Sequence, residues 1–160
     1  MTFRRGRRFG VDVGSVRVGV AACDPDGILA TPIATVYRRD GDGPALAQLA
    51  ELAAEYEPIE IVCGQPRSLD GNLRASAASA AQFTELIAKR RLAPVRLVDE
   101  RFTTTQAHGM LQSAGKNGRN RRESVDAAAA VLILQSALDY EKRTGSPAGT
   151  PFEPNRGNDT

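Results

Sequence analysis

The sequence contains no tryptophan, one histidine, two cysteines and two methionines among 160 residues, and aromatic residues make up only 5% of it. Scarce histidine argues against a zinc centre or a histidine general base, since both depend on imidazole at neutral pH. His108 falls in an expected helix and reads as a surface residue. Cys23 and Cys63 each lie in or beside an apolar run, without C-x-x-C spacing or nearby histidine, so packing is their expected role. No stretch approaches the roughly 18 apolar residues of a membrane span, and charges within 8–22 exclude a signal core. These features lead us to expect a cytoplasmic protein in a reducing compartment. Net charge is only +2, so overall charge says little about partners. Its distribution says more: Arg4, Arg5, Arg7 and Arg8 precede the first apolar stretch, and Lys116, Arg119, Arg121 and Arg122 crowd a segment without acids. Each cluster reads as a solvated surface or as a phosphate-tracking arm.

What is present centres on residues 8–22, RFGVDVGSVRVGVAA. Successive side chains of a strand point to opposite faces, so Phe9, Val11 and Val13 share one face while Asp12 shares the other with Gly10 and Gly14. A buried carboxylate costs several kcal/mol or more without compensation, so something positive is expected at Asp12. The flanking glycines are expected to let a phosphate approach the backbone.

The chain reads in order as a flexible basic start (1–7), a hairpin of 8–13 and 17–22 turning at 14–16, and a third antiparallel strand at 28–33 after the Asp24-Pro25-Asp26-Gly27 turn. Pro44 opens a helix that ends before Pro58, followed by a strand at 60–63, a loop through 72, a helix over 72–90 and a strand at 95–98. A helix from Thr104 or Thr105 to Ala114, a basic loop at 116–122 and a last helix from about Ser124 to near Gly145 complete the series. Residues 146–160, rich in Pro, Gly, Asn and Thr, read as a disordered tail. A hairpin followed by alternating strands and helices implies one α/β domain over 8–145, a mixed sheet covered by helices on both faces.

Three acids stand out by position: Asp12 in the first strand, Glu100 just past a later strand, and Asp126 at the start of the last helix. The four small residues Ala127–Ala130 let that helix sit close to the sheet and bring Asp126 toward Asp12. Clustered carboxylates repel, and a divalent cation such as Mg²⁺ or Mn²⁺, which takes oxygen ligands, resolves the repulsion. Two such ions about 4 Å apart suit phosphodiester hydrolysis.

In GVDVGSVRVGVA, GQPRSLDG, DERFTTTQA and RRESVDAAAAVLILQ, in this order and spacing, the chain resembles the YqgF family, also called RuvX, described as Holliday junction resolvases and as pre-16S rRNA nucleases. The resemblance implies a ribonuclease H-like fold with a five-stranded mixed sheet of order 3-2-1-4-5. It places the family's metal-binding catalytic acids on Asp12, Glu100 and Asp126. It also implies nucleic acid crossing near Ser15, Arg17, Arg67, Arg101, Lys116, Arg119, Arg121 and Arg122. Gln65 departs from the family pattern between Gly64 and Pro66, and the arginine-rich start lies outside it. The expected activity is a two-metal nuclease, a hydrolase of ester bonds, working on precursor 16S rRNA or on branched DNA as monomer or homodimer. A non-catalytic RNA-binding assembly factor is the adaptor alternative. The Asp-x-Gly strand also looks like the first phosphate motif of sugar kinases and actin-like ATPases, but those need a second such domain.

Overall fold

Alternating small and branched residues in the first forty positions build three consecutive antiparallel strands. The computed structural model describes residues 3–65, 74–99 and 118–154, and at 65, 74–77 and 118–127 it describes the backbone alone. The elements are β1 (Arg8–Val13), β2 (Arg17–Cys23), β3 (Ala30–Tyr37), α1 (Asp42–Tyr56), β4 (Glu60–Gln65), α2 (Arg74–Arg90), β5 (Val95–Asp99), α3 (Gly118–Thr144) and β6 (Thr150–Phe152). They form one sheet of order β3-β2-β1-β4-β5-β6, with β1, β4 and β5 parallel and the rest antiparallel. The expected order is present, with a sixth strand added beyond β5. Among the described residues no helix is long and apolar enough to cross a membrane.

The two sheet faces carry separate cores. Phe9, Val11, Val18, Val20 and Ile61 pack against Leu46 and Leu49 of α1 and Phe83 and Ile87 of α2. Val62 and Val98 on the other face pack against Ala130, Ile133, Leu134 and Leu138 of α3. Helix α1 ends where Glu57 turns left-handed (φ 52°) and donates its N–H to Ala53 O, just before Pro58. Cys23 and Cys63 are buried free thiols, and burial pushes the Cys63 thiol up to about 12. Packing is thus their role.

Several boundaries differ from the sequence reading, each for a physical reason. Strand β3 begins at Ala30, not at 28, because Asp24 Oδ1 accepts the backbone N–H groups of both Ile28 (2.8 Å) and Leu29 (2.9 Å) and withholds them from the ladder. Helix α3 begins at Gly118, so positions 119, 121 and 122 belong to a helix and not to a basic loop. Arginine is a good helix former and no proline intervenes. The tail expected to be disordered supplies β6, pinned where Arg96 donates from Nε to Ala148 O (2.7 Å) and from Nη2 to Gly149 O (2.8 Å). The helix expected at 104–114, the loop at 66–72 and His108 lie outside the described residues.

The basic start is not a flexible arm. Arg4 donates to both oxygens of Glu60 (3.1 Å each) and to both of Glu141 (Nη2 to Oε1, 2.7 Å). Arg8, 2% exposed, donates to Glu141 Oε2 (3.0 Å) and stacks 4.3 Å over the Phe3 ring. Among the described residues the buried Arg8 Nε and Nη1 find no hydrogen-bond partner, and the ring offsets part of that loss. Burial alone would raise the Glu141 carboxyl, but the bonds from Arg4 and the charge of Arg8 outweigh it and hold it below the usual carboxylate range.

A depressed folded-state pKa contributes stability that is complete above the unfolded value, about 4.3 for Glu, and is lost as pH falls through the folded value. Stability should therefore be level near neutrality and decline once pH drops below that range. Arg4→Ala should cost about 2 kcal/mol in urea denaturation at pH 7 and shift the acid-induced decline to higher pH. An acid profile identical to that of the parent would refute the assignment.

Candidate functional site

Asp12 is half-buried in β1, an interior strand with neighbours on both sides. Its partner on β2 is Gly19 and its partner on β4 is Gly64. Directly paired residues share a face, so the carboxylate is flanked on both adjacent strands by positions without side chains. Phe9, Val11 and Val13 fill the α1–α2 core, which leaves Gly10 and Asp12 on the α3 face.

Helix α3 occupies that face at very short range. A Cβ at Gly10 would stand 2.5 Å from Ala130 O and 2.6 Å from Leu134 Cβ, and one at Gly64 would stand 2.6 Å from Ile133 Cδ1. The glycine expected to admit a phosphate at position 10 therefore admits a helix instead. Because Ala130 lies over Gly10 while Glu141, further along, reaches Arg8, α3 runs antiparallel to β1. Position 126 precedes Ala130 by one turn, about 6 Å of rise, in the direction of the strand end that carries Asp12. Strand β5 stops at Asp99, at the same end of the sheet, one residue before Glu100.

Of the three expected acids, the structure thus gives Asp12 in full and the helical backbone of Asp126, while Glu100 lies outside the described residues. Among the expected nucleic-acid contacts, Ser15 is exposed and Arg17 half-buried at the β1–β2 turn. Positions 119, 121 and 122 are placed by backbone in the first turns of α3, and Arg67, Arg101 and Lys116 lie outside the described residues. A carboxylate is a hard oxygen donor of the kind Mg²⁺ and Mn²⁺ take; its β2 partner is Gly19, and the space over its β4 partner Gly64 is filled by the end of the Ile133 side chain.

The turn after Asp12 is fixed by a residue that the sequence pattern did not single out. Arg38 donates from Nη1 to Gly14 O (2.8 Å), and its backbone N–H donates to Val16 O (2.8 Å). The same guanidinium grips Asp42 through Nε (3.0 Å) and Nη2 (3.3 Å) and lies 4.9 Å over the Phe83 ring. Gly14 N donates to Arg17 O (2.8 Å), closing the turn. The one local signal was the acid at i+4, at the start of α1.

Comparison with known proteins completes the picture. Residues 6–140 match the family model described as "RuvX: Holliday junction resolvase". A protein of Streptomyces coelicolor named "Putative pre-16S rRNA nuclease" is 52% identical over 151 residues, covering 94% of this chain and 90% of that protein. One of the same name from Leifsonia xyli subsp. xyli is 47% identical over 154 residues, covering 96% and 99%. Among solved structures, "T. thermophilus RuvC in complex with Holliday junction substrate" superposes with a TM-score of 0.62 at 15% identity, over 92% of this chain and 99% of that one. At that identity the likeness is one of fold, the ribonuclease H-like architecture.

Two substitutions probe the packing. Gly10→Ala should lift α3 and cost about 1–3 kcal/mol in urea denaturation, as overpacking does, and a value near zero would contradict the contact. Arg38→Lys keeps the charge but loses the fork, so it should still destabilise by about 1–2 kcal/mol. A lysine variant as stable as the parent would show that charge alone holds the turn.

Proposed function

Because the chain belongs to the RuvX family, we propose that it is a metal-dependent nuclease that hydrolyses phosphodiester bonds in the cytoplasm, trimming the 5′ end of precursor 16S rRNA. The observation that carries this reading is Asp12, half-buried between Gly19 and Gly64 with α3 drawn down on the same face. Asp12, Glu100 and Asp126 would hold Mg²⁺ or Mn²⁺. When bound, two such ions supply activation of the attacking water and stabilisation of the leaving oxygen.

The chain's own contribution is placement. Strand β1 sets the Asp12 carboxylate at a fixed height beside the sheet. The turn held by Arg38 presents Ser15 and Arg17 next to it, where a hydroxyl and a guanidinium suit a phosphate oxygen. Arg67, Arg101, Lys116, Arg119, Arg121 and Arg122 supply positive charge for the rest of the strand. The solved relative in complex with a Holliday junction favours branched DNA as the second reading. A non-catalytic assembly factor is the third, and it requires Asp12 to be dispensable.

One assay separates the three. Purified protein with Mg²⁺ or Mn²⁺ is offered a precursor 16S rRNA 5′ fragment and, separately, a four-way DNA junction, with Asp12→Asn alongside. Cleavage should require the ion and fall a hundredfold or more in the variant, about 3 kcal/mol of transition-state stabilisation, while the fold persists. Equal cleavage by Asp12→Asn, or none by the parent on either substrate, would overturn the nuclease reading.

A further inference from the structure

Strand β3 is an edge of the sheet, with β2 on one side and no strand on the other among the described residues. Every second residue of such a strand points its N–H and C=O away from its neighbour, a free template for another chain. Proteins blunt edges with proline, lysine or a bulge. The first half of β3 has two of these, the exposed Pro32 and the register shift where β2 steps from Val20 to Ala21. The second half, residues 34–37, has none, and Thr35, Val36 and Tyr37 all favour strand. A groove of about 310 Å³ opens along that unprotected half, between Ala34, Thr35 and Val36 of β3 and Glu51, Leu52 and Glu55 of α1. Leu52 packs half-buried against the core, while Glu51 and Glu55 are exposed and pair with no cation among the described residues. Arg38 and Arg39, which follow β3, are engaged elsewhere, at Asp42 and over the Tyr37 ring.

We propose that this groove docks an extended basic segment of a protein partner, which adds to β3 as a further strand and sets alternate lysine or arginine side chains against Glu51 and Glu55. The two glutamates are one helical turn apart, about 6 Å of rise, and alternate side chains of a strand are about 6.6 Å apart, so cations at positions i and i+2 match them. Backbone hydrogen bonds to residues 34–37 supply affinity, and the acids select the partner. Leu52 offers an apolar floor to the aliphatic stems of those cations. A second copy of this chain is a poor occupant. Antiparallel pairing of two β3 edges about a two-fold axis puts both α1 helices on one face and brings the acids of each copy together. A nucleic-acid strand is a poor one too, because its phosphates carry the same sign as the groove. The groove lies on the α1 face at the sheet edge, whereas Asp12 lies on the α3 face of β1 with β2 between them, so partner and substrate do not compete for one surface.

The test uses the full chain and a short labelled peptide that alternates lysine with valine, followed by fluorescence anisotropy at low salt. The parent should bind it and should not bind a peptide with glutamate in place of lysine. The double variant Glu51→Gln/Glu55→Gln should weaken binding about fivefold, as the loss of two exposed ion pairs does. Asp139→Asn removes one exposed charge from α3 on the other face and should leave binding unchanged. Two further peptides carry N-methyl groups, one on the lysines and one on the valines. An added strand turns only one of these sets of N–H groups toward β3, so one peptide should lose binding and the other keep it. Melting curves confirm that the variants fold. No binding by the parent, equal binding of the two methylated peptides, or full affinity in the double variant overturns the proposal. So does self-association of the parent in sedimentation that the lysine peptide displaces, since the occupant is then a second copy.

Discussion

The contact of α3 with a floor of glycine is the constraint on which the rest depends. Gly10 and Gly64 leave no room for even a methyl group under Ala130, Leu134 and Ile133, so the helix rests almost on the sheet backbone. Ala128 and Ala130 keep the helix side equally thin. Interiors are close-packed and transmit displacement, so a side chain added at Gly10, which meets the backbone of Ala130, must move the helix and every group it carries, whereas one at Gly64 meets the end of the Ile133 side chain. The spacing between β1 and the helical position of Asp126 is thus fixed by residues that have no chemistry of their own. Selection for a metal site would act here on glycine as strongly as on the acids.

The two ends of the sheet carry different sets of charge. At the starts of β1 and β4, the exposed Arg4 and the buried Arg8 meet the buried carboxylates of Glu60 and Glu141. Burying ions repays desolvation only when each finds its counter-charge with good geometry, and both buried carboxylates do so with Arg4. That end is therefore locked and structural. At the other end Asp12 stands beside glycines, Arg38 is paired with Asp42, and Arg39 is exposed. Arginine ties the N-terminal segment to the body in the first place and ties the turn after Asp12 to α1 in the second.

This contrast also explains what the sequence made legible. Periodicity of two exposed β1 and β2, and an acid among glycines exposed Asp12, because both signals are local. The arginine-rich start gave no hint of its partners, since Glu141 lies 137 positions from Arg4. The residues of β6 offered turn-forming composition and nothing more; their pairing follows from Arg96 and the free edge of β5. The start of β3 was misplaced by two residues because a side-chain carboxylate, Asp24, outcompeted the ladder for two backbone N–H groups. Residues 119–122 read as part of a basic, glycine-flanked loop, yet arginine is a good helix former and they belong to α3.

Arg38 shows why a site is more than its acids. The turn after Asp12 has to be rigid, yet its exposed Ser15 and Val16 supply no core contact to make it so. Arg38 solves this by holding carbonyls on two turn residues while its own guanidinium is gripped by Asp42 and stacked on Phe83. Asp42 opens α1 and Phe83 belongs to α2, so the turn is referenced to the helices on the far face of the sheet. Meanwhile α3 fixes the near face through glycine. The Asp12 end of β1 is therefore clamped from both layers at once, by a close steric fit on one side and a forked hydrogen bond on the other. A carboxylate held in that way would lose little freedom on meeting a ligand, and that preorganisation is what a strand-borne acid contributes that a loop-borne one cannot.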